Sequence, residues 1–74
     1  MREKILEILR EVNEEILEYE GEAMAQDGVI SSFDIISIIA EIDDQLGIEI
    51  KPESIVPANF ANKEAIIAMV EKYQ

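Results

Sequence analysis

From Phe33 to Leu46 the large apolar residues recur at the spacing of a helix, and residues that end helices stand on either side. Ile35, Ile38, Ile39, Ile42 and Leu46 fall on one face, with Ile36 and Phe33 round its edge. Ser31-Ser32-Phe33-Asp34 sets a hydroxyl before the first turn and an acid three residues after Ser31, a variant of the capping box. Either serine can open the helix. Gly47 suits the left-handed residue that closes one. Isoleucine is β-branched, so a strand is the rival reading. The run lacks strict alternation, however, and Ala40 to Gln45 carries it on at helical spacing.

Such a helix must bury its face against other elements. Residues 2 to 18 supply the first partner: Ile5, Ile8, Leu9, Val12 and Ile16 repeat at i, i+3, i+4, i+7 and i+11, flanked by Leu6 and Leu17. Its outer side is crowded with like charge. Glu3–Glu7 and Glu7–Glu11 each cost a few tenths of a kcal/mol, so packing must supply its stability. Tyr19 to Val29 loses the period and contains Gly21 and Asp27-Gly28, the marks of a long loop with Ala23, Met24 and Val29 on the core. After Gly47, Ile48-Glu49-Ile50 is expected as a short extended link burying both isoleucines. Pro52 and Pro57 each permit a helical turn, with Ile55, Val56 and Phe60 plugging the core. Asn62 then caps a last helix over Lys63 to Lys72, whose stripe is Ala65, Ile66, Met69, Val70 and Tyr73. The expected fold is all-α: one domain over residues 1–74, a small four-helix bundle with three longer helices, one short one, and a long loop between the first two.

Composition closes off several functions. With no cysteine and no histidine, disulfides, thiol nucleophiles, Cys/His metal sites and the commonest general base are all excluded. No serine is paired with a base, since Lys51, Lys63 and Lys72 lie in other segments, so a non-enzyme is expected. Glu41, Asp43 and Asp44 lack the alternating oxygen ligands and glycine turn of a calcium loop, so no metal is expected. The net charge of −11 argues against nucleic acid and anionic membranes and for basic protein surfaces as partners. Apolar runs are far shorter than the roughly 20 residues of a membrane span, and the charged start does not read as a signal peptide. A cytoplasmic monomer is the expectation.

Asp27-Gly28-Val29-Ile30-Ser31-Ser32-Phe33-Asp34-Ile35, the acidic helix behind it, and Leu46-Gly47-Ile48-Glu49-Ile50 together resemble the acyl carrier protein family, which includes fatty-acid, peptidyl and D-alanyl carriers. The likeness spans nearly the whole chain. Its hallmark is an Asp-Ser-Leu/Phe/Met tripeptide opening the second helix, whose serine bears phosphopantetheine taken from coenzyme A. The resemblance places that serine on Ser32 and the partner-facing positions on Phe33, Asp34, Ile36, Ala40, Asp43 and Asp44. It implies a four-helix bundle of acyl-carrier type that carries acyl or aminoacyl groups as thioesters. Its partners would be a phosphopantetheinyl transferase, an acyl- or aminoacyl-loading ligase, and a downstream acyltransferase or synthase of fatty-acid, polyketide or nonribosomal-peptide type. Ser32-Phe33-Asp34 behind a Gly- and Asp-bearing loop is nearer the D-alanyl and peptidyl carriers. One position departs: the family's aspartate before the serine is Ser31 here.

Helix geometry separates the two serines. A residue at the N-cap turns its oxygen back onto a backbone N–H two or three residues on, which Ser31 does as well as aspartate. Ser32 then sits at the first helical position with its hydroxyl toward solvent, beside unpaired N–H groups and the positive end of the helix dipole. The alternative function is an unmodified acidic helical adaptor on a carrier-like scaffold.

Overall fold

Asn13 divides the first helical stretch. In the computed structural model, which describes residues 1–73, α1 runs Arg2–Val12 and stops where Asn13 becomes extended. A single turn, α2, follows at Glu15–Glu18. The apolar period runs on through Ile16, and so predicts one helix to residue 18; the asparagine side chain interrupts it. Its Oδ1 accepts the Glu15 N–H at 3.0 Å and its Nδ2 donates to the Val29 carbonyl at 2.9 Å. Asparagine competes with the helix backbone in this way wherever a second partner is in reach.

The third helix, α3, spans Ser32–Leu46 and α4 spans Lys63–Glu71. Ser31 caps α3, and Gly47 closes it in the left-handed conformation (φ 67°), with its N–H on the Asp43 carbonyl. Asn62 caps α4 by accepting the Ala65 N–H at 2.9 Å. Between them lie two 3₁₀ turns, Pro52–Ser54 and Pro57–Phe60, each begun by its proline. Among the described residues the chain is all-helical, with no strand. The short helix expected in the proline-led stretch is instead these two 3₁₀ turns, and the shortest α-helix, α2, is a piece of the expected first helix.

The core is continuous. Ile5, Ile8 and Leu9 of α1 meet Ile38 and Ile42 of α3 and Ile66, Ile67, Met69 and Val70 of α4, with Ile16, Met24, Ile30, Ile50 and Phe60 filling the gaps. Each fully buried isoleucine is worth about 1.5–3 kcal/mol of transfer free energy. Ile67 lies outside the expected α4 stripe and is buried all the same; Ile48 is only half-buried, although the link was expected to bury it. A larger correction concerns Ile55 and Val56. Expected as core plugs, they are each 42% exposed. They stand between two proline-led turns. Val56 is held extended before Pro57 (φ −129°, ψ 154°), which directs this pair away from the interior while Phe60 goes in.

The long loop is fastened. Met24 is fully buried, and its N–H donates to the Ala61 carbonyl at 3.1 Å. Asn62 Nδ2 donates to the Gly21 carbonyl at 3.0 Å. Tyr19 Oη donates to Asp27 at 2.6 Å and accepts the Ala23 N–H at 2.9 Å. These ties bring the loop round to deliver Ser31 to the mouth of α3.

Candidate functional site

The N-terminus of α3 is set by a reciprocal pair of hydrogen bonds. The Asp34 N–H donates to Ser31 Oγ at 3.2 Å, and the Ser31 N–H donates to Asp34 Oδ2 at 3.2 Å. Ser31 is thereby committed to the cap. Ser32, at the first helical position, is exposed. A helix leaves its first-turn N–H groups without intrahelical acceptors, and their dipoles make this end favourable for an anion esterified to Ser32, by under about 1 kcal/mol at an exposed site. An exposed hydroxyl with that field beside it is chemically suited to carry a phosphodiester.

Around Ser32 the surface is apolar and acidic by turns. Phe33 is 75% exposed and Ile36 64%, unusual for residues of this size. At 100° per residue, Ala40 and Asp44 share their outward side and Asp43 lies beside Ile36. Ala40, Asp43 and Asp44 are all exposed. Asp34 is different: half-buried and engaged in the cap, it turns toward α1, where it lines a groove of about 280 Å³ with Glu11, Ser37 and Glu41. The residues expected as partner-facing thus lie on an outward strip and in this groove, with Phe33 at the edge of both. Gln45 bridges Glu41 and Glu11 at the groove's far end, at 2.8 and 3.4 Å.

Two of the lysines are engaged elsewhere. Lys63 Nζ donates to the Leu17 carbonyl at 2.7 Å, and Lys51 Nζ stands 3.8 Å from Glu49. Neither of these two contacts involves Ser32. Among the described residues there is no group of three or more side chains suited to a metal ion, and no helix is long and apolar enough to cross a membrane.

Two electrostatic pairings lie apart from α3. Arg2 and Glu64 form a bidentate pair at 2.6 and 3.0 Å; the hydrogen bond lowers the Glu64 carboxyl below its ordinary range and raises the Arg2 guanidinium. The hydrogen bond to Asp27, helped by desolvation, raises the Tyr19 phenol.

Sequence reasoning missed the outward pose of Ile55 and Val56 and the engagement of Tyr73 with Lys51 and Ser54. The flanking prolines were the available signal for the first; nothing local marks the second. No protein-family model matches the chain, and no curated protein matches it.

Proposed function

We propose that this chain is a carrier protein of the acyl/peptidyl type, modified with phosphopantetheine on Ser32, and not an enzyme. The observation that carries the reading is the division of labour between adjacent hydroxyls: Ser31 holds the cap, and Ser32 is left exposed at the helix mouth. A serine in the aspartate position does the aspartate's structural work, so the departure from the family pattern does not cost the fold its helix start. An all-helical fold, with a long loop between α2 and α3 and two 3₁₀ turns before α4, supports the reading only at the level of fold class.

The acids of α3 support the same reading. Asp43 and Asp44 lie near the C-terminal, negative end of the helix dipole, and the last turn contains no base. This placement costs the helix a few tenths of a kcal/mol per charge. Their value lies in steering a basic partner toward Phe33 and Ile36. When attached, the arm supplies the thiol that the chain lacks, and holds acyl or aminoacyl groups as thioesters. The protein's own residues anchor it and present it to a loading ligase and a downstream acyltransferase or synthase, raising the effective concentration of cargo at each. A cytoplasmic location would fit such partners.

The test is mass spectrometry after incubation with coenzyme A, magnesium and a broad-specificity phosphopantetheinyl transferase. The added mass of one arm is expected. It should vanish with Ser32→Ala and persist with Ser31→Ala. No added mass, under conditions that modify a known carrier, would sink the proposal. It would favour the second reading, an unmodified acidic adaptor, for which Ser31 in place of aspartate is the specific observation.

A further inference from the structure

Ile55 and Val56 are exposed, but the segment that presents them is held firmly. Tyr73 Oη accepts the Lys51 N–H at 3.0 Å and shares a short hydrogen bond with Ser54 Oγ. Asn59 Nδ2 donates to the Ser54 carbonyl at 2.7 Å. The Ile55 and Val56 N–H groups are taken by the Pro52 and Ser54 carbonyls, both at 3.0 Å. Every tie falls on the backbone or on Ser54, and none covers the two apolar side chains. Large apolar groups kept in water by an ordered segment mark an interaction site more strongly than a loose loop would.

These two residues form one wall of an apolar cleft of about 210 Å³, completed by Ala25, Ile35, Pro57 and Phe60. Helical spacing places Ile36 between Ile35 and Phe33 on α3, so the apolar surface continues from the cleft to the helix mouth. Acids border it: Glu53 precedes the pair, Glu22 borders the adjoining hollow at Pro57, and Asp43 lies two turns on from Ile36 on the same side of the helix, while the cation Lys51 stands 3.8 Å from Glu49. A second copy of this chain, with the same charge of −11, would be repelled. We infer that Ile55 and Val56, pinned by Tyr73, form a docking ledge for a partner-protein segment with an apolar side chain flanked by lysine or arginine. Tyr73 is a positioning residue, acting on the partner through the turn it holds. The ledge does not depend on an arm at Ser32.

The test titrates the ¹⁵N-labelled full chain with a cationic amphipathic peptide, leucines along one face and lysines beside them. Amide shifts should centre on Ile35, Ile55, Val56 and Phe60. The double substitution Ile55→Ser/Val56→Ser should weaken binding by about tenfold. Val56→Lys, which keeps Ile55, should weaken it too by placing a cation against the peptide. Tyr73→Phe keeps the ring and removes the hydroxyl. It should speed amide exchange at Lys51 and weaken binding less than the double substitution. Three results would overturn the inference: equal affinity for a peptide with serines in place of the leucines, shifts centred on Leu6 and Leu17 of α1, or self-association through the ledge without peptide. A chain that binds the peptide here yet takes no arm on Ser32 keeps the ledge and loses the carrier.

Discussion

The hydroxyl of Tyr19 stands where the Cβ of any side chain at position 21 would have to go. Gly21 is thus the condition for the tyrosine to fold back over its own loop and reach Asp27 and the Ala23 N–H. Gly21→Ala should cost about 1–3 kcal/mol, the range for forcing an extra methyl into an occupied site. Much of that cost should disappear in a Tyr19→Ala background, where nothing fills the space. Urea denaturation of the two single variants and the double variant measures this coupling. Strict additivity would mean that the tyrosine is not what excludes the side chain.

The capping box at Ser31 and Asp34 makes a prediction about stability and another about modification. Ser31→Ala removes the acceptor for the Asp34 N–H and should cost about 0.5–2 kcal/mol. Ser31→Asp keeps an acceptor of the same reach and should change stability by no more than a few tenths of a kcal/mol. On the carrier proposal the same Ser31→Asp substitution should speed attachment of the arm, since it restores the family's pattern. Denaturation midpoints and the time course of mass addition read the two effects separately. A stability loss in Ser31→Asp equal to that in Ser31→Ala would contradict the assigned cap.

The residues show what could be read before the structure and what could not. Ser31, Asp34, Gly47 and Asn62 act on backbone groups within four residues of themselves, so local sequence chemistry located both ends of α3 and the start of α4. Phe33 and Ile36 were legible as outlying apolar positions, because helical spacing alone puts them off the buried face. Ile55 and Val56 were expected inside on their hydrophobicity; the flanking prolines were the local signal against it, whereas the hold of Tyr73 and Asn59 on the turn before them left no local mark. Asp34 reads as part of the capping box from its spacing and as a partner-facing acid from the family resemblance; its hydrogen bond is the one with the Ser31 N–H in the cap. The break at Asn13 was hidden because Ile16 falls in phase with α1 although it belongs to another element.

The Arg2–Glu64 pair joins the start of α1 to the start of α4, and gives the acid side of the stability curve a defined sign. Arg2 holds the Glu64 carboxyl below its ordinary range, chiefly through the hydrogen bond. A carboxyl depressed in the folded state contributes stability above its unfolded pKa, about 4.3, and loses it as pH falls through the lower folded value. Glu64→Gln should therefore reduce the drop in melting temperature between about pH 5 and pH 3. Both side chains are at least half open to water (50% and 57%), so the difference should be small and should fade in high salt. Calorimetry at low and high ionic strength checks this. A larger drop in the Gln variant than in the parent would reverse the assigned sign.

Asn13 joins two functions in one side chain: it starts α2 through the Glu15 N–H and anchors the end of the long loop through the Val29 carbonyl. Asn13→Ala should remove both bonds and cost about 1–3 kcal/mol, because the half-buried loop carbonyl loses its donor as well as the helix its cap. Asn13→Asp separates the two effects. It keeps an acceptor for Glu15 but has no N–H for Val29, and it sets a carboxylate against a carbonyl oxygen. Its stability should fall, yet the Glu15 amide should keep its protection from exchange while Val29 and Ile30 lose theirs. In Asn13→Ala, protection should fall at both places. If the alanine variant instead gains helix content and stability, α1 and α2 would be one helix held apart at a cost, and the anchoring of the loop that delivers Ser31 would have to come from Tyr19, Met24 and Asn62.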